Sequence, residues 1–435
     1  MNQAGEAGKF HKLSWLRLTS VMIVEAIALG SLSMPASFAT LGLVPALLIV
    51  IGMGIISYVC SIHIGRTWLA NREMTSYPMA GELLFVRMFG EGGRKTGRYF
   101  TTTIFLLLLI FTTGSHALTG RLMFNALSDN AICQVGFSAI SAIILFILAL
   151  PKTFNEMGWL GYVDFASIVI AIIITIIGSG VEGSQRPGGL DAVQWYAVNP
   201  EAPTFASAFL AVTNITFAYA YAQCQFSFMS ELKRPREYTK SVGLLVSVEM
   251  VIYCLTGSLI YRFSGQQVES PALLGLSPTL SKVAFGVAIP VIFISGSINS
   301  VTAGRFIYDW KYKGTRHELI NTKQGNIAWV GIIAVITIIA WLVAELIPIF
   351  SALLGIISAA FISFFSYTFP ALFYIYFLRD GSWNASMRNM VFTVLNILIA
   401  VGGLFIVVAG IYASAIDIKE QTDAGTVGKP FSCAA

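Results

Sequence analysis

Four ionisable side chains sit inside stretches that are otherwise apolar: Glu25 in VMIVEAIALG, His116 in FTTGSHALTG, Asp164 in GYVDFASIVI and Glu249 in VSVEMVIYCL. A carboxylate held at mid-membrane costs about 2.5–3.5 kcal/mol on insertion scales, so each must find a partner or a proton. A group that gains and loses a proton in such a place can relay it. Glu25 takes that role here, against the alternative of a neutral carboxyl bonded to a neighbouring helix. Glu249 is a second coupling candidate. Asp164 lies near one end of its segment and reads more readily as a partner for Lys152. His116 can titrate near neutrality, although a lone histidine in such a segment more often serves packing. Thr112, Thr113 and Ser115 beside it are candidate contacts for a polar solute.

A second group of residues interrupts helices instead of carrying charge. Gly30-Ser31-Leu32-Ser33-Met34-Pro35 falls in the first apolar segment. Glycine lowers helix preference, serine hydroxyls bond back to the main chain, and proline lacks an amide hydrogen. These residues are expected to unwind the segment near its middle, with a packing kink as the alternative. Backbone left bare in a bilayer survives only against protein or a water-filled cavity. There the exposed carbonyls favour a cation and the amides opening the next half-helix favour an anion. A free amino acid carries both charges. The sixth apolar segment, TNITFAYAYAQCQFSFMSELKRP, crowds Asn214, Thr216, Tyr219, Tyr221, Gln223 and Gln225 together without Gly or Pro, as a counterpart break or as a polar face buried against neighbours. In the eighth, ISGSINSVTAGR, the oxygens of Ser295, Ser297, Asn299, Ser300 and Thr302 suit a hard cation or close packing through small residues.

The elements that must position these groups are membrane helices. Of 435 residues 56% are hydrophobic and 11% charged, against about 25% charged in soluble domains. Too few polar groups remain to coat a water-facing surface. A span needs about 20 apolar residues, and that window gives eleven: 16–40, 43–65, 99–123, 134–151, 157–181, 204–230, 240–262, 280–304, 326–344, 347–377 and 389–414. The boundary at Glu345-Leu346-Ile347-Pro348 is the weakest. With residue 1 in the cytoplasm, the 27 Lys and Arg divide 21 inside to 6 outside, as the positive-inside rule requires. The 66–98 loop mixes apolar and charged residues and is expected to form a short amphipathic helix at the interface. The first segment reads as a retained span, not a cleaved signal peptide. Cys60, Cys224 and Cys254 read as packing residues. Cys133 and Cys433 fall on the outer side, but the sequence alone does not argue that they pair. The matches Asn214-Ile-Thr216 and Asn384-Ala-Ser386 lie in a span and on the inner side, so neither is expected to be glycosylated.

The stretches GSLSMPASFATLGLVPALLIVIGMGIISYVCS, GELLFVRMFGEGGR, PKTFNEMGWLGYVDFAS and FAYAYAQCQFSFMSELKRPREYTKS resemble the amino acid/auxin permease family, and within it the fungal neutral amino acid permeases. The likeness covers the first seven spans; the later ones agree mainly in number and hydropathy. It implies an all-α integral membrane protein of the LeuT type, an inverted repeat of five plus five helices with an eleventh added. The whole chain is then one transport domain: a cytoplasmic tail to residue 15, repeats over 16–181 and 204–377, an extra helix at 389–414, and an extracellular or lumenal tail. The resemblance implies that Gly30, Ser31, Leu32 and Ser33 hold the substrate carboxylate and line an ion site. It implies that Phe217 and Tyr219 cover the substrate, with Ala220 among the substrate-binding residues, and that Glu231 and Lys233 form a cytoplasmic gate. Thr113 joins the substrate contacts, and Glu25, Ser295, Asn299 and Ser300 are the coupling-ion candidates. Ala222-Gln223 stands where family members often have glycine followed by histidine or glutamine.

The expected function is secondary active transport of neutral amino acids by alternating access, with protons favoured over sodium and no cofactor. Sodium coupling and a non-transporting amino acid receptor are the alternatives. His11, His63, His116 and His317 form no HExxH or close acid/base set, and no Walker-type loop is present, which argues against an enzyme or an ATP-driven pump. The partners are the bilayer and a small amino acid, not nucleic acid. The expected place is the plasma membrane, with the vacuolar membrane as the alternative.

Overall fold

The structure is a computed structural model that describes residues 14–152, 160–318, 320, 322–425 and 430–433; the side chains of Val24, Glu25, Ser230 and Glu231 also fall outside the described set. The described chain is helical throughout, with no β-strand. In chain order its helices are α1 Trp15–Ala26, α2 Leu29–Leu41, α3 Leu43–Ala70, α4 Tyr77–Phe89, α5 Gly93–Ser128, α6 Gln134–Leu148 and α7 Leu160–Gln185. Then follow α8 Phe205–Ala218, α9 Gln225–Glu231, α10 Tyr238–Ser264, α11 Pro278–Tyr312, α12 Lys323–Leu346, α13 Phe350–Leu378 and α14 Met387–Asp423. Among the described residues nine helices are long and apolar enough to cross a membrane, counting α8 with α9 as one. The 15-residue α6 is shorter.

Several helices outrun the expected spans: α5 begins at Gly93 instead of 99, and α14 ends at Asp423 instead of 414. A hydropathy window finds only the part of a helix in hydrocarbon, and the hydrogen-bonded rod continues into the polar interface. The uncertain boundary resolves into two helices, since α12 stops at Leu346 and α13 starts at Phe350. The loop expected to hold an amphipathic helix does so. The short α4 packs on α5, where Gly97 lies close against Phe85, and Arg94 pairs with Glu82 at 2.9 Å and Glu91 at 2.8 Å.

Side chains that point away from the bundle are apolar. Leu48, Ile55, Ile143, Ile177 and Val251 are exposed, and so are Leu398, Val401, Phe405 and Val408 along α14. That surface is stable only with lipid as its solvent. The polar side chains turn inward, and most Ser and Thr hydroxyls in the helices bond to a carbonyl one turn back, as Thr112 does to Leu108 and Thr175 to Ala171.

Two rods of this bundle are discontinuous. The first breaks at Ile27 and Ala28, where the backbone leaves helical angles. The second ends α8 at Ala218, passes through Tyr219–Tyr221 and a 3-10 turn at Ala222–Cys224, and resumes as α9. The tenth expected span, α13, is continuous but contains π-helical turns at Ser358–Ile362, Phe364–Thr368 and Tyr374–Leu378.

Candidate functional site

The first break lies upstream of its expected place. Residues 30–35 are not unwound; they form the opening turns of α2 and are buried. The serines explain this. Ser31 Oγ donates to the Ala28 carbonyl at 2.8 Å and Ser33 Oγ to the Gly30 carbonyl at 2.9 Å, so hydroxyls brace the turn that precedes Pro35. What fixes the gap is a tertiary contact. A Cβ on Gly30 would lie 2.7 Å from Ala218 Cα and 2.9 Å from Ala218 Cβ. Two backbones therefore meet where α2 begins and α8 ends.

Tyr253 of α10 ties the two breaks together. Its hydroxyl donates to the Ala218 carbonyl at 2.8 Å and lies 3.4 Å from the Ala26 carbonyl, the last residues of α8 and α1. On the other side of the first gap the amides of Leu29 and Gly30 open α2 without any side-chain cap. Such amides have no partner within their own helix. A cavity opens between the breaks. It is lined by Ala26, Ala28, Leu29 and Gly30 from the first, and by Phe217, Ala220 and Gln223 from the second. Leu108, Thr112 and His116 of α5, Ser295 and Asn299 of α11, and Ile362 of α13 close it. The room open to the centres of water-sized molecules is about 40 Å³, enough for about three waters.

Among the described residues the lining is polar in places but carries no Asp, Glu, Lys or Arg. Gln223 donates from Nε2 to the Ala220 carbonyl at 3.2 Å, while its buried Oε1 has no partner. His116 Nδ1 faces the Ile292 carbonyl at 2.8 Å. A carbonyl only accepts, so Nδ1 carries a proton and Nε2 of the neutral ring is the acceptor. Asn299 Nδ2 donates to the Ser295 carbonyl at 2.9 Å, and Ser295 Oγ donates to Asp164 Oδ2 at 2.7 Å. Asp164, paired on sequence with Lys152, thus stands behind the cavity wall, while Lys152 Nζ donates to Asn326 Oδ1 and to the Ile320 carbonyl.

Of the residues singled out from sequence, Gly30, Thr112, His116, Phe217, Ala220, Gln223, Ser295 and Asn299 meet at this cavity. Others do not. Ser31 and Ser33 are occupied by their own helix, and Leu32 is buried in the apolar core. Thr113 and Ser300 share a hydrogen bond of 3.2 Å, with Thr113 bonded back to Leu109. Tyr219 turns toward α3, donates to the Val50 carbonyl at 2.9 Å and stacks edge-on against Tyr253. Lys233 is exposed, whereas the side chains of Glu25 and Glu231 lie outside the described residues. Leu108 and Ile362 carried no signal beyond hydrophobicity.

Two further features escaped the sequence reading. Arg121 and Glu345, both buried, pair at 3.8 Å; Ser138 donates to the same Glu345 oxygen, and Trp341 Nε1 donates to Ser138 Oγ at 2.8 Å. Cys133 and Cys433, left unpaired on sequence, form a disulfide across 300 residues.

The model of the family described as transmembrane amino acid transporter protein matches residues 11–416. The chain belongs to that family. It is 46% identical to the N amino acid transport system protein of Neurospora crassa, over 99% of this chain and 90% of that protein. It is 23% identical to the amino acid transporter AVT1I of Arabidopsis thaliana, over 89% of this chain and 92% of that one. Among solved structures it is similar to Mhp1, a nucleobase-cation-symport-1 family transporter, in a closed conformation with bromovinylhydantoin bound. The TM-score is 0.55 at 11% identity, covering 98% of this chain and 95% of that one; the likeness shows the fold alone. The chain is therefore a multi-pass membrane protein of an amino acid transporter family, with transporters and not enzymes as its relatives.

Proposed function

We propose that this permease moves small neutral amino acids across its membrane by alternating access, in symport with protons. The observation that carries the reading is the cavity shared by two helix breaks. The uncapped amides of Leu29 and Gly30, at the positive end of α2, suit the substrate carboxylate. The unpartnered Gln223 Oε1 and the carbonyl ends of α1 and α8 suit its ammonium. A lining without formal charge suits a side chain without one, because a charged group buried there would meet no counter-ion. The small volume suits a short side chain, with Phe217, Leu108 and Ile362 as apolar walls.

Matching interruptions in the first and sixth spans support a five-plus-five inverted repeat with α14 added outside it. The charge distribution supports an amino terminus in the cytoplasm, and the Cys133–Cys433 disulfide supports the same orientation, since disulfides persist on the oxidising side. The plasma membrane is the proposed location. In the coupling path, Glu25 is the relay carboxyl read from sequence, and Ser295, Asn299 and Ser300 supply oxygens on α11. Glu231 and Lys233 form the inner gate.

Purified protein in proteoliposomes tests this directly. Uptake of labelled neutral amino acids is expected to follow an imposed proton gradient, to acidify the lumen, and to be unchanged when sodium is replaced. Dependence on sodium with no proton movement would establish the sodium-coupled alternative, and binding without counterflow would establish a receptor. Glu25→Gln is expected to lose accumulation while keeping exchange.

A further inference from the structure

Glu249, midway along α10, is fully buried, and neither of its carboxyl oxygens has a hydrogen-bond partner. An ionised carboxylate without a partner is among the costliest groups to hold in a low-dielectric interior, far costlier than the same group with a proton on it. No Lys, Arg or His among the described residues pairs with it. The titratable groups within its electrostatic reach are phenols: Tyr219 and Tyr221 from the second break, Tyr253 on its own helix and Tyr367 from α13. Of the other helices packed on α10, α2 carries no titratable side chain, and α3 carries Tyr58, Cys60, His63 and Arg66. On α7, Asp164 is bonded to Ser295, and on α1 Glu25 lies outside the described side chains.

The position gives this carboxyl a mechanical connection. Tyr253 follows it by one helical turn and is the residue whose hydroxyl reaches the carbonyls of both breaks. Tyr221 in turn accepts from Ser61 Oγ at 3.1 Å, and Ser61 accepts from Gln225 Nε2 at 2.8 Å. A run of polar groups therefore joins the second break to α3 and to the first residue of α9.

We propose that Glu249 is a proton-binding site of the transport cycle: its carboxylate takes a proton from water on one side, is carried as the neutral acid through the buried state seen here, and returns the proton to water on the other side. One O–H bond forms and the same bond breaks, with the solvent as both source and sink. The gain of the proton is what lets α10 close against the breaks. This rests on the proton-symport reading above and deepens it.

The test compares the full-length protein with Glu249→Gln, which mimics the neutral acid, and Glu249→Asp, which keeps a titratable group one methylene shorter. In proteoliposomes with one pH unit imposed, one coupled proton supports about tenfold accumulation. Wild type is expected to reach it; E249Q is expected to keep counterflow exchange, lose accumulation and stop acidifying the lumen. E249D is expected to accumulate with a displaced pH profile. Accumulation by E249Q at the wild-type level overturns the assignment, as does loss of its exchange when E249D shows an unshifted profile. Failure of the wild-type protein to move protons while it exchanges amino acids overturns the symport reading itself, and with it the site.

Discussion

Gly30 is the residue on which the geometry of the cavity turns. With any side chain there, Ala218 must move, and overpacking of this kind costs about 1–3 kcal/mol. Gly30→Ala is expected to weaken amino acid binding and slow uptake, as read by scintillation proximity and transport. A Cβ added to Gly331 on α12 would meet nothing within 4 Å, so Gly331→Ala is expected to be silent. The buried Arg121–Glu345 pair makes a separate demand. Glu345→Ala leaves a guanidinium buried without its counter-ion and is expected to cost about 3–5 kcal/mol. Thermal unfolding in detergent checks this, and an unchanged melting temperature would contradict it. The pair was invisible in the sequence because Arg121 and Glu345 each looked like the end of a span.

At the scale of elements, the two interruptions should behave as one site. Single cysteines at Ala28 and Ala220 are expected to react with a thiol reagent during turnover, and a transported amino acid is expected to protect both. Protection of only one would separate the breaks. How legible this was differs between the two. Polar residues at helical positions announced both interruptions, since hydrophobic periodicity and composition are local properties. Their positions were set by long-range contacts. Gly30 against Ala218 and Tyr253 against Ala26 and Ala218 join residues far apart in the chain, and the serine hydroxyls that keep residues 30–35 helical reverse what Gly, Ser and Pro suggest by propensity. The sixth span opens without glycine or proline because Tyr253 holds the freed Ala218 carbonyl from α10, while Tyr219 in the break anchors itself to the Val50 carbonyl of α3. That the chain crosses lipid many times, and roughly where, was readable for the same reason that the breaks were only half readable: crossing lipid is dictated residue by residue, while register between helices is not.

For the whole molecule, the disulfide closes a circuit from the start of α6 to the carboxyl-terminal tail, and Phe431 beside it packs on Trp341. Cys133 and Cys433 are expected to resist alkylation until a reductant is added, as mass spectrometry of labelled peptides would show; labelling without reduction would refute the pairing. The segment from 186 to 204 has a different attachment. Tyr196 and Ala197 carbonyls accept from the amides of Leu43 and Val44, and Asn199 donates to the Thr40 carbonyl at 3.1 Å. Tyr196 and Gln194 are also bonded to Tyr261 and Gln266 at the end of α10. The loop is thus a strap buckled across the junction of α2 with α3 and the far end of α10. Swinging any of them to admit solute must drag or unbuckle it, so a binder that clamps this strap would freeze the carrier without ever touching its cargo.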